Sequence, residues 1–214
     1  MTLETYEDGD TVAYKYDNSG ALATVTDSAT GRTTTYYYDF TDRMMKYVES
    51  GSGFNHSVGY EYDAVNNLSQ LVETINGDTS ITSYDYDDDN RITSVNTNGI
   101  SESSSYDSYG RVTTKVTRNG ETLILTETYT YKETADNKPT SQVATMRSVS
   151  AGRDVTYTYQ YDANGNITSV SDGTYTTTYS YDSANQLIRE SNEDIGLTWE
   201  YTYDDAGNIL TKKL

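Results

Sequence analysis

Tyr159-Gln160-Tyr161-Asp162-Ala163-Asn164-Gly165-Asn166-Ile167-Thr168-Ser169-Val170 holds a strand, a turn and the start of a returning strand within twelve residues. Side chains alternate along an extended chain, so Tyr159 and Tyr161 share one face and Gln160 takes the other. An apolar pair around a polar residue describes a strand wet on one side. Asp162 can accept a backbone N–H two residues on, and Gly165 supplies the φ > 0 that a tight turn needs. Ile167 then opens a second strand running back.

Working outward, the same register surrounds eight aspartates: Asp17, Asp39, Asp63, Asp87, Asp107, Asp162, Asp182 and Asp204. The preceding residue (−1) is Tyr16, Tyr38, Tyr62, Tyr86, Tyr106, Tyr161, Tyr181 or Tyr203, without exception. At −3 stand Tyr14, Tyr36, Tyr60, Tyr84, Tyr159, Tyr179 and Tyr201, and only Ser104 breaks the row. At +3 come Gly20, Asp42, Asn66, Asn90, Gly110, Gly165, Asn185 and Gly207, all residue types that tolerate a left-handed backbone. At +5 an aliphatic residue or methionine recurs, from Leu22 to Ile209. Self-similarity of this kind marks a repeat protein.

The repeats predict an all-β fold, in which antiparallel β-hairpins stack into one long, coiled or spiralling sheet, because strands twist and a long sheet must coil. Each repeat supplies two strands, closed at the far end by turn signals such as Asn76-Gly77, Asn98-Gly99, Asn119-Gly120 and Asp172-Gly173. The residue at +8, often apolar (Val25, Tyr47, Leu71, Val95, Val170), lies an odd step from +5, so a β-bulge is expected between them. Between Asp107 and Asp162 a degenerate repeat fits, with Tyr129-Thr130-Tyr131 followed by Lys132 in place of aspartate. An irregular stretch holding the lone Pro139 is expected there, around residues 132–158. Residues 1–214 therefore read as one array of about nine repeats and eighteen strands, with a core built largely from tyrosine.

Composition narrows the function. The net charge of −18 leaves no basic footprint for nucleic acid and disfavours anionic membrane surfaces. No apolar run approaches a transmembrane length of about 20 residues, so no membrane insertion is expected, and Met1-Thr2-Leu3-Glu4 begins no basic-then-apolar leader. With no cysteine there are no disulfides, thiol nucleophiles or thiolate metal sites.

The quoted stretch, and Tyr201-Thr202-Tyr203-Asp204-Asp205-Ala206-Gly207-Asn208-Ile209, resemble the tyrosine-aspartate (YD) repeats of the RHS superfamily. That superfamily includes bacterial polymorphic toxins, shell components of insecticidal toxin complexes, Gram-positive wall-associated proteins and teneurin adhesion receptors. The resemblance implies a spiral of hairpins forming a hollow shell, which in the toxins encloses an effector. It implies an extracellular or cell-surface bacterial protein. Its implied partners are the rest of a larger shell, an encapsulated effector domain or a cell-surface glycan. Such shells usually carry a proline-rich, aspartate-containing core motif, which a chain with Pro139 alone lacks, so a slice of shell wall with raw strand edges is expected.

Candidate sites weigh toward structure. Asp162-Ala163-Asn164-Gly165-Asn166 and Asp87-Asp88-Asp89-Asn90 are oxygen-rich enough to suggest calcium, but a β-turn wants the same residues and the distal glutamate of a calcium loop is missing. No metal or cofactor is expected. Acidic pairs such as Glu193-Asp194 fall in turns or on wet faces, and His56, the only histidine, reads as a surface residue in a turn, so no catalytic site is expected. The repeating tyrosines, aspartates and turn glycines are read as structural, holding a non-catalytic scaffold. The alternative is a glycan- or protein-binding adhesion module using exposed tyrosine rows.

Overall fold

The structure, a computed structural model, describes residues 2–51 and 53–214, and among these there is no helix. The chain divides into two parts, Met1–Glu102 and Ser103–Leu214. The first holds β1 (Thr2–Thr5), β2 (Thr11–Tyr16), β3 (Leu22–Asp27), β4 (Arg32–Tyr38), β5 (Met44–Gly51), β6 (Phe54–Tyr62), β7 (Leu68–Ile75), β8 (Asp78–Tyr86) and β9 (Ile92–Thr97). Strand β10 (Ile100–Tyr106) runs across the division. The second holds β11 (Val112–Asn119), β12 (Thr122–Glu133), β13 (Pro139–Ser150), β14 (Arg153–Tyr161), β15 (Ile167–Ser171), β16 (Thr176–Tyr181), β17 (Leu187–Asn192), β18 (Leu197–Tyr203) and β19 (Ile209–Lys213). Within each part every strand pairs antiparallel with the next, so the fold is all-β and grows by adding hairpins edge to edge.

Among the described residues nineteen strands form rather than the expected eighteen. The extra one is β1, which is turned onto β2 by Tyr6: its N–H donates to the Asp10 carbonyl, its carbonyl accepts from Gly9 N–H, and Gly9 has φ 92°. The far turns at Asn76-Gly77 and Asn98-Gly99 have both residues at positive φ, as two-residue hairpins require. Asn119, in contrast, stays in the ladder opposite Thr122, so that turn is carried by Gly120 and Glu121.

The bulge is present in every regular repeat whose register can be followed. In the first, Tyr16 faces Leu22 and Lys15 faces Thr24, leaving Ala23 without a partner. The same step recurs at Tyr38, Tyr62, Tyr86, Tyr161, Tyr181 and Tyr203. One unpaired residue restores the alternation, so +5 and +8 return to the tyrosine face. The extra residue points the other way, which explains why Met45 and Leu210 are 48% and 64% exposed.

The stretch after Lys132, expected to be irregular, lies in the longest hairpin, with β12 and β13 each twelve residues long, and its ladder breaks register twice, between Thr130 and Tyr131 and between Tyr131 and Glu133. Tyr131 faces Val143, as −1 faces +5 elsewhere, and the arms continue outward to Glu133 opposite Pro139. The same turn closes it with Thr134 in the aspartate's place: Thr134 N–H donates to the Lys138 carbonyl, its carbonyl accepts from Asn137 N–H, and its Oγ1 accepts from Lys138 N–H at 3.1 Å. Asn137 supplies the positive φ, 55°.

The core expected to be built largely from tyrosine does not form as a buried one. Among the described residues only Val58, at 5% exposure, is buried, and the tyrosine rows are half-buried along one face. Cohesion therefore has to come from the backbone ladder and the polar groups at the turns.

Candidate functional site: the tyrosine-aspartate turn

Each of the eight aspartates closes its hairpin in one way. Its N–H donates to the +4 carbonyl at 2.9–3.0 Å and its carbonyl accepts from the +3 N–H at 3.0–3.2 Å. This is a type I turn followed by a left-handed residue, and all eight +3 residues, Gly165 and Gly207 among them, have positive φ. Asp Oδ1 accepts the N–H groups of both +2 and +4, at 2.7–3.1 Å, in every repeat. Oδ2 takes the +4 side chain: Arg43, Arg91 and Arg111 at 2.7 Å, and Asn67, Asn166 and Asn208 at 3.0–3.1 Å. In the two oxygen-rich loops, Asp87 and Asp162 thus have both carboxylate oxygens engaged within their own turns.

These donors favour the carboxylate form. The Ser19 hydroxyl holds Asp17 below its usual value, and the Thr41 hydroxyl, joined by Arg43, holds Asp39 further below. The side chains of Arg91, Asn166 and Asn208 do the same for Asp87, Asp162 and Asp204. At Asp63 and Asp107 desolvation is the largest influence and acts upward, but the several donors together outweigh it.

The tyrosine at −1 solves a problem set by the bulge. The ladder between successive repeats ends where +7 faces −4 of the next, as at Thr24 and Thr35, Lys46 and Gly59, Gln70 and Ser83, Ser169 and Thr178, and Arg189 and Glu200. The +5 carbonyl is left beyond that point, and a half-buried carbonyl needs a donor. The −1 hydroxyl of the following repeat supplies it. Tyr38 donates to Leu22 at 3.0 Å, Tyr62 to Met44 at 2.9 Å and Tyr86 to Leu68 at 2.9 Å. In the second part Tyr131 donates to Val112, Tyr161 to Val143, Tyr181 to Ile167 and Tyr203 to Leu187, at 2.7–3.0 Å. Desolvation pushes the Tyr38, Tyr86, Tyr131, Tyr161 and Tyr181 hydroxyls up, which keeps them protonated as donors.

The +4 side chain adds a second link between repeats. Arg43 Nη1 bonds Asn66 Oδ1, while Asn67 and Asn166 reach Asn90 and Asn185 at 2.8 Å. Arg43 and Arg111 also lie 4.6 and 4.4 Å over the rings of Tyr62 and Tyr131, the −1 residues of the following repeats. Lys132, where aspartate is missing, sits 4.9 Å over Tyr161.

Other residues fall differently from expectation. Tyr16, preceded only by the four-residue β1, is 50% exposed. His56 is in β6 rather than a turn. It is half-buried, its Nε2 is 2.8 Å from Glu73 Oε1, and its ring stands edge-on to Tyr47 at 5.5 Å. Sequence reasoning missed the carbonyl acceptors and the +4 donors. A signal for the first was available: 23 tyrosines against two phenylalanines is a demand for hydroxyls, which ring packing alone does not make. Among the described residues no three His, Cys, Asp or Glu side chains group to hold a metal, and no helix is long and apolar enough to cross a membrane.

The model of the RHS repeat matches residues 86–122, 161–194 and 181–213. The chain carries RHS repeats. Solved structures similar to this RHS-repeat chain include a TcdB2-TccC3-Cdc42 complex, at 13% identity and a TM-score of 0.47 over 99% of this chain and 15% of that one. The Tc holotoxin pore of Photorhabdus luminescens matches at 13% identity and 0.45, again over 99% and 15%. A porin-like protein from Bacteroides uniformis matches at 14% identity and 0.30, over 98% and 86%. At these scores the likenesses carry no argument about function. No curated protein matches the chain. The RHS-repeat chain spans about 15% of the length of the toxin chains it resembles.

Proposed function

We propose that this chain is a non-catalytic structural scaffold, one RHS array over residues 1–214 forming a segment of a β-shell wall. The observation that carries the reading is the hydroxyl ladder. The same donor meets the same acceptor from repeat to repeat, and the aspartate beside it is spent on its own turn. Residues recurring in fixed register are committed to joining repeats, which is the work of a wall. In this reading the wall belongs to a larger shell at the outside or surface of a bacterium, and its cargo is an effector domain. A surface stalk is the other form such a wall takes. Glycan binding by the tyrosine rows has less support, since the −1 hydroxyls are engaged and the rings half-buried.

The test is protection from protease. The natural polypeptide containing this sequence is purified with Tyr38, Tyr62 and Tyr86 intact or all changed to phenylalanine, and digested. A scaffold that encloses a cargo keeps it resistant in the first case and releases it to cleavage in the second. Equal cleavage in both would sink the enclosure, and saturable turnover of a substrate by the chain alone would sink the non-catalytic reading.

A further inference from the structure

On the face of the sheet turned away from the tyrosine rows, one place in the first part is apolar where its counterparts are polar. Between the −3 and −1 positions stands a polar residue in seven of the eight repeats, Lys15, Glu61 and Asp85 among them, but the second repeat has Tyr37. Tyr37 opens a row across five strands: it faces Lys46 of β5, which faces Gly59 of β6, which faces Val72 of β7, which faces Ile81 of β8. Met45, the extra residue of the bulge, joins this row, and Tyr37, Met45 and Ile81 are each 45–50% exposed. A groove of about 450 Å³ lies here, lined by Tyr37, Met45 and Val72, by the charged Lys46 and Glu61, and by Gly59. The strand itself does not require that glycine. Its φ lies outside the left-handed region, and an added Cβ would meet nothing nearer than 3.9 Å, an ordinary contact. Glycine inside a strand weakens it and goes with the close approach of another chain.

We propose that a second copy of this chain docks in the groove, related to the first by a two-fold axis. In such a pairing one patch meets itself, so every contact is made twice. Lys46 and Glu61 both line the groove, and neither side chain makes an ion pair or hydrogen bond among the described residues. An axis that sets Lys46 of one copy against Glu61 of the other repeats the same pair on its far side. The patch also carries its own knob and hole: Tyr37 and Met45 project, whereas Gly59 leaves a gap that an incoming side chain can enter. A lipid or other apolar ligand would leave both charges unpaired beside it, and a partner of one sign would leave one of them so. A second copy supplies both signs. The row crosses four strand spacings, about 19 Å, which makes a small interface and a weak dimer. The net charge of −18 on each copy opposes association until salt screens it. None of these side chains belongs to the −1 hydroxyl ladder, so the inference does not rest on the scaffold reading.

Sedimentation equilibrium of the chain at about 5–500 µM reads the association directly. In about 0.15 M sodium chloride a monomer-dimer equilibrium with a dissociation constant of about 10–100 µM is expected, weakened several-fold at about 0.01 M. Gly59→Val fills the groove and should weaken the dimer about tenfold or more. Its melting temperature, measured where parent and variant are both monomeric, should stay the same or rise, because valine is the better strand former. Lys46→Glu and Glu61→Lys should each weaken the dimer about tenfold, and the double variant should return to within about threefold of the parent. Bulk charge alone predicts otherwise, since Glu61→Lys lowers the net negative charge and would strengthen a dimer governed by repulsion. A chain that stays monomeric to about 500 µM in both about 0.15 and about 0.5 M salt leaves the groove to a foreign partner and overturns the proposal. So does a dimer that Gly59→Val and both single charge variants leave intact, because its contact then lies elsewhere.

Discussion

At the −1 position the ring and the hydroxyl can be separated by one atom. Tyr62→Phe keeps the packing but strands the Met44 carbonyl beside a bulge, where water is the only replacement. The expected cost is about 1–2 kcal/mol, read as a lower urea midpoint with an unchanged slope. Tyr60→Phe, two residues earlier on the same face, loses a hydroxyl with no fixed partner and should stay within about 0.5 kcal/mol. If the two variants melt alike, the tyrosines are only rings. The distinction was half legible in the sequence: the unbroken row of tyrosine at −1 announced a constraint, but its acceptor sits fourteen to nineteen residues away, across a ladder whose early end no local pattern reveals.

Hairpins were legible because aspartate, a left-handed residue and alternating strands each state the same answer locally. The turn geometry gives a direct check. Gly20 has φ 95° and nothing near enough to touch an added Cβ, so Gly20→Ala should cost about 1–2 kcal/mol through backbone strain alone. The bulge could be inferred from the odd step between +5 and +8. The extended hairpin could not, because Thr134 imitates the aspartate with a hydroxyl and Lys132 occupies the expected origin. His56 was placed wrongly for a similar reason, since the glycine before Phe54 reads as a turn and the strand begins immediately after it. If the extension is an insertion into an ordinary repeat, then replacing Lys132–Gln142 with the five residues that join Tyr161 to Ile167, Asp162–Asn166, should restore a standard turn between Tyr131 and Val143. The shortened chain should keep its far-ultraviolet β spectrum and melt within about 5 °C of the parent. Loss of the fold would mean that the long arms are required, through contacts such as Arg111 with the Thr140 carbonyl at 2.7 Å.

Across the whole chain, stability should form a plateau in pH bounded by two different residue types. Turn aspartates are held below their unfolded value of about 3.9, so the folded state binds protons more weakly than the unfolded one. Their contribution is complete above that value and is lost as pH falls through the lower folded values. The tyrosines shift the other way: desolvation first, then Glu127, pushes Tyr129 up to about 12, and desolvation raises Tyr159 and Tyr179. Unfolded tyrosine ionises near 10, so this contribution is complete below about pH 10 and is lost as pH rises through about 12. Urea midpoints across pH should therefore fall on both sides, and absorbance at 295 nm should show part of the tyrosinate appearing only with unfolding. Full ionisation near pH 10 with the sheet intact would remove the alkaline limb. The net charge of −18 adds a general repulsion that acts at long range. Raising salt from about 0.01 to 0.15 M at pH 7 should therefore stabilise the chain, yet leave the acid limb in place, because hydrogen bonds from N–H to carboxylate act far inside a screening length of about 8 Å. An acid limb that vanished with salt would instead assign the aspartates' effect to bulk charge rather than to the turns they close.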